Sequence, residues 1–235
     1  ELKATVILYA DGTCNSGSDC GQTYGYPIDT WCLWNSTANI GVTDMSFLFY
    51  DLLDFADDLN SWNTEKVTNM NSMFKNKSTF NQDISKWERV ANGADPASTL
   101  AKVTDMASMF EGASVFDQDI SGWSVSKVTN MMNMFSGNTY STIELSYWDV
   151  SNVTTMQGMF MYCENSLMAL NPSNWDVSNV TNMSDMFYQA DTFNGDIAGW
   201  DTSKVENMEG MFYNAQFFFQ DLSNWSVPKI EMSPF

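Results

Sequence analysis

Seven tryptophans, Trp62, Trp87, Trp123, Trp148, Trp175, Trp200 and Trp225, are separated by 25, 36, 25, 27, 25 and 25 residues. Spacing that regular means one short unit copied along the chain. A period of about 20–50 residues marks an array in which each copy packs on the next. At 235 residues the chain would otherwise suggest one or two globular domains. Units that touch only their neighbours predict one elongated domain instead. The question of function moves accordingly from an active site to a surface.

The unit reads F-x-x-D-I-S-x-W-x-V-S-K-V-T-N-M-x-x-M-F, followed by a short polar turn. Its first half recurs from Phe80 to Trp87, Phe116 to Trp123 and Phe193 to Trp200. Leu59 and Leu222 replace the isoleucine in Phe55 to Trp62 and Phe218 to Trp225. Its second half recurs from Val67 to Phe74, Val103 to Phe110, Val128 to Phe135, Val153 to Phe160, Val180 to Phe187 and Val205 to Phe212. Val42 to Phe49 is an earlier copy, and Tyr24 to Trp31 a degenerate first half. Two copies depart from the pattern, with Glu144-Leu145 and Asn171-Pro172 in place of Asp-Ile. An insertion of eleven residues within Glu88–Lys102 accounts for the one long gap.

Val67, Met70, Met73 and Phe74 fall at i, i+3, i+6 and i+7, which predicts one face of a short helix. Thr68 stands where it would cap that helix. So short a helix is unstable alone, and stacking on its neighbours would hold it. The Asp-Ile-Ser stretch predicts a short strand, successive copies pairing in parallel about 4.8 Å apart. The expected fold class is therefore an α/β repeat, a leucine-rich-repeat-like solenoid of about eight coils, each one short parallel strand plus one short helix. Methionine, phenylalanine and tryptophan at these positions predict core, each buried side chain contributing about 1.5–3 kcal/mol.

These repeats resemble the BspA-type leucine-rich repeats of bacterial surface proteins and mycoplasma-like lipoproteins, which are also numerous in protists and marine algae. F-N-Q-D-I-S-K-W and V-T-N-M-S-D-M-F carry the likeness, which covers Tyr24 to Phe235. The resemblance implies a right-handed solenoid, a secreted or cell-surface setting, and adhesion or binding of host and matrix proteins. It implies no catalytic residues and no cofactor. The domain expectation is an N-terminal cap over residues 1–23 and repeats over 24–235, the C-terminal coil incomplete.

Composition narrows the partners. Ten basic residues against twenty-nine acidic ones leave a net charge of −19, and histidine is absent. Nucleic acid is not expected as a partner, because its binding rests on Lys and Arg neutralising phosphates. An anionic membrane surface would be repelled likewise, and no stretch approaches the roughly 20 apolar residues of a membrane span. Without histidine the commonest general base is missing. The acids recur in every copy, whereas a catalytic pair should stand apart from a repeat. The chain is not expected to be an enzyme.

One carboxylate per copy precedes the apolar strand residue: Asp58, Asp83, Asp119, Glu144, Asp196 and Asp221. Bridged by Ca²⁺, Asp83, Asp119, Asp196 and Asp221 would be the metal candidates. The preferred reading has each acid accepting backbone N–H bonds in its own turn. Cys14, Cys20 and Cys32 are disulfide candidates, Cys14–Cys20 first among the pairings that sequence leaves open. Asn35, Asn76, Asn152, Asn179, Asn182 and Asn224 lie in N-x-S/T sequons and are glycosylation candidates. Thr68, Thr104, Thr129, Thr154 and Thr181 form a regular column that would suit ice, although helix capping uses them better.

The function expected is a non-catalytic, extracellular or cell-surface recognition or adhesion module binding protein or glycan through the solenoid face. The alternative is a structural subunit of a surface, cell-wall, appendage or particle assembly, its partners being further copies of itself.

Overall fold

The structure is a computed structural model. It describes residues 34–35, 40–50, 58–60, 62, 64–88, 100–139, 144–163, 167 and 170–228. The N-terminal cap of residues 1–23, with Cys14 and Cys20, lies outside these, as do Cys32, residues 89–99 of the insertion and residues 229–235.

The repeat motif dictates a run of tight turns closed by i→i+3 hydrogen bonds. In one copy the N–H of Phe116 donates to Ala113 (3.0 Å), Trp123 to Ile120 (3.0 Å), Val128 to Val125 (2.8 Å) and Met134 to Met131 (3.2 Å). The residues at both ends of every one of these turns are buried. Apolar side chains three apart thus reach one interior from successive turns, with no helix needed.

Copies lie side by side in chain order. Isolated parallel bridges join Asp44 to Asn69, Asn69 to Asp105, Asp105 to Asn130, Asn130 to Thr155, Thr155 to Asn182 and Asn182 to Asn207. Alternate N–H groups of one copy donate forward: Met70 to Asp105 (2.9 Å), Ser72 to Ala107 (2.8 Å), Phe74 to Met109 (3.0 Å) and Asn76 to Glu111 (2.7 Å). Two bonds return to the Thr68 carbonyl, from the N–H of Thr104 at 2.8 Å and of Asp105 at 3.4 Å. The insertion leaves this register intact, since Asn69 and Asp105 flank it.

Two expectations about local structure are corrected here. No α-helix is present among the described residues, and Val67 to Phe74 is a pair of turns carrying the parallel bridge. The reason is backbone sign. Phe47, Ser72, Ser108, Asn133 and Asp185, with Gly158 and Gly210, take φ between 54° and 65° at the same motif position. A left-handed residue there breaks a right-handed helix, while the forward-pointing N–H groups are used by the next copy. The Asp-Ile-Ser stretch, expected as the strand, is a turn, and Ser85–Glu88 forms a 3₁₀ helix. The only named strands among the described residues are β1 (Trp34–Asn35) and β2 (Ile40–Gly41), paired antiparallel.

Aromatic columns run along the interior. Phe49, Phe74, Phe110, Phe135, Phe160, Phe187 and Phe212 stack in sequence with centroids 5.2–5.8 Å apart and planes within 9°. Within a copy Phe110 also stacks on Phe116 at 4.1 Å and Phe187 on Phe193 at 3.8 Å. Indoles stack likewise, Trp62 on Trp87 at 6.4 Å and Trp175 on Trp200 at 6.3 Å. The tryptophans are core rather than an exposed platform: Trp62, Trp87, Trp123, Trp148, Trp175 and Trp200 are buried, and Trp225 is half-buried.

Candidate binding surface

The outer edges of the row are built from side-chain caps. At the first turn of the unit each acid accepts the N–H two residues on: Asp83 from Ser85 (2.9 Å), Asp119 from Ser121 (3.0 Å), Asp196 from Ala198 (3.1 Å) and Asp221 from Ser223 (2.9 Å). Asp58 and Glu144 do the same for Asn60 and Ser146. The Ser121 hydroxyl adds a 2.6 Å bond to Asp119 and, with the Ser121 N–H, holds its carboxyl below the usual aspartate range. Ser223 does so for Asp221, its N–H first. Each calcium candidate thus has one carboxylate oxygen engaged in its own turn. Among the described residues no group of three or more Cys, Asp or Glu side chains converges.

Two further cap columns follow the same rule. Asp44, Asn69, Asp105, Asn130 and Asn182 cap the N–H two positions on at the bridge. Asp149, Asp176 and Asp201 cap Ser151, Ser178 and Ser203 directly after the tryptophan. The bridge column was legible in sequence as the recurring Asn or Asp before Met. The Thr column does not cap helices. The hydroxyls of Thr68, Thr104, Thr129, Thr154 and Thr181 each donate to the preceding threonine's carbonyl at 3.0–3.2 Å.

The sequons divide. The side-chain amide of Asn152 donates to the Ser126 carbonyl (2.8 Å), that of Asn179 to Ser151 (2.8 Å) and that of Asn182 to the Gln157 side chain (3.1 Å). Asn76 and Asn224 are exposed. Asn35 lies in β1. Cys163 is buried and in no disulfide, and its S–H donates to the Phe135 carbonyl at 3.2 Å.

What the repeat pattern did not foretell is a set of exposed rings. Tyr147 is 82% exposed, Phe219 70%, Phe217 57% and Tyr213 56%. Tyr162 and Tyr188 meet edge to face at 5.5 Å, and Tyr188 stacks on Tyr213 at 4.8 Å. Phe217 and Phe219 meet edge to face at 6.5 Å and, with Thr192 and Asn194, line a cleft of about 310 Å³. A comparison of copies would have found it: Phe219 stands where Asn81, Asp117 and Asn194 stand elsewhere.

The sequence profile of a family described as "Mycoplasma protein of unknown function, DUF285" matches residues 27–95, 96–166 and 144–234. Those three matches run across nearly the whole chain. The chain belongs to this family. No curated protein and no solved structure matches it. The family profile recurs along the chain, its second and third matches overlapping over 144–166. Among the described residues no helix is long and apolar enough to cross a membrane.

Proposed function

We propose that this member of the family is a right-handed, leucine-rich-repeat-like solenoid of the BspA type. It acts as a non-catalytic recognition or adhesion module on a cell surface or outside the cell, binding protein or glycan. The observation that carries the reading is the contrast between two kinds of surface residue. The Asp, Asn and Thr side chains of the cap and threonine columns are engaged in turns and inter-copy bonds, whereas large rings at Tyr147, Tyr213, Phe217 and Phe219 stand in solvent. Exposed aromatic groups on a rigid frame bury much area with little loss of side-chain entropy, as recognition surfaces require. The charge of −19 favours neutral or basic partners.

Glycan-array binding, together with capture of the purified chain by intact cells, tests the reading. Saturable binding by either route is expected. A chain that binds neither and instead forms ordered polymers in solution would replace it with the structural-subunit alternative.

A further inference from the structure

The cleft between Phe217 and Phe219 differs from the equivalent place in every other copy that can be compared. In the unit Phe80 to Trp87 the residue after the buried phenylalanine is Asn81. In the next it is Asp117, and before the final copy it is Asn194. All three are exposed although copies flank them on both sides. The position is thus open to solvent within the row, while the Asn81 and Asn194 side-chain oxygens also reach the next copy. The local backbone is conserved at the substituted copy. The Phe219 N–H donates to the Asn194 side-chain oxygen at 3.0 Å, as the Asp117 N–H does to Asn81 at 3.0 Å. Gln220 repeats the contacts of Gln118, donating to the Asn194 carbonyl at 3.0 Å. An apolar ring has thus been set on an unaltered polar frame, and Phe217 adds a second ring where Thr79, Val115 and Thr192 stand.

Those bonds also fix which way the amide points. Because the Asn194 oxygen accepts from Phe219 and Gln220, its NH₂ group faces away from them and has no partner among the described residues. The Thr192 oxygen accepts the Leu167 N–H at 3.3 Å, which leaves its hydroxyl proton to give. The cleft therefore offers two ring surfaces, an amide donor and a hydroxyl donor in about 310 Å³, within the range of small-ligand sites. Among the described residues no cationic side chain lines it, and the excess of acid on the chain disfavours sulfated or sialylated ligands. Flat C–H faces of a pyranose suit the rings, and ring hydroxyls suit the two donors.

We propose that Phe217, Phe219, Thr192 and Asn194 form a binding site for a neutral sugar residue of a glycan chain. This rests on the recognition reading above and specifies its ligand class and place.

Isothermal titration with chitohexaose, cellohexaose and mannohexaose tests it, using the whole chain and the variants Phe217→Thr with Phe219→Asn, which restore the residues other copies carry. The wild type is expected to bind at least one oligosaccharide, the double variant to bind it on the order of tenfold or more weakly. Phe219→Trp should retain binding, because it retains a ring. Equal binding by a double variant whose melting temperature is unchanged would overturn the site while leaving the recognition reading in place. Binding of none of the three by the wild type would also overturn the site. Capture by intact cells would then decide separately whether the broader reading survives.

Discussion

At Phe110 four ring contacts meet, with Phe116 at 4.1 Å and Trp123 at 6.2 Å and with Phe74 and Phe135 in the flanking copies at 5.7 Å each. The side chain is fully buried. Phe110→Ala should lower stability by about 3–5 kcal/mol, since a cavity is added to the lost transfer energy and the lost stacking; equilibrium urea unfolding measures it. Polar residues act through turns. Asp119, Asp176, Asp201 and Asp221 are all held below the ordinary aspartate value of 3.8 by a serine two positions on. A carboxyl whose folded pKa is depressed adds stability that is fully present above its unfolded pKa and is lost as pH falls through the folded one. Stability should therefore drop on acidification below about pH 3.8, and the drop should be shallower in Asp119→Asn; thermal melts across that range check the sign. One buried donor lacks a match. Trp87, Trp148, Trp175 and Trp200 each donate from the indole nitrogen to a carbonyl of the preceding copy, whereas the Trp123 nitrogen, in the copy after the insertion, has no partner among the described residues.

Elements in this molecule are turns, and that is where sequence reading reached its limit. Apolar residues three apart are shared by helices and by consecutive i→i+3 turns, so Val67, Met70 and Met73 could identify the interior positions without identifying the backbone path. Nothing in Ser72, Ser108 or Asn133 announces φ near 54°, because those residues are also at home elsewhere; only Gly158 and Gly210, at the same position, are a hint. Four positions further on, Gly112 has φ +69°, and a Cβ there would stand 2.9 Å from the Asn76 side-chain oxygen. Gly112→Ala should destabilise by about 1–2 kcal/mol, from the left-handed backbone together with that contact; the shift in urea midpoint reads it. Far-UV circular dichroism of the native chain should lack an α-helical signature, in keeping with turns at every Met-x-x-Met segment among the described residues.

Across the whole molecule the repeat, the interior tryptophans and the capping acids were legible, because each was stated several times over in the same register. The exposed rings were not, since Phe219 breaks the pattern once and a consensus averages it away. The insertion offers a test at this scale. Deleting residues 89–99 would bring Trp87 and Trp123 to the 25-residue spacing of most other pairs. Register on both sides is already normal, as the 2.8 Å bond from Thr104 to Thr68 shows. The shortened chain should fold with a melting temperature equal to or slightly above the parent's, closure entropy changing by under about 1 kcal/mol; a large loss would mean the segment supports neighbouring copies. The constancy of the contacts between copies reaches further than this one segment. A duplication or loss of a whole unit exchanges one seam for another with the same parallel bridge. Adding or removing a unit therefore changes the length of the row while each tile keeps the kind of seam that holds it.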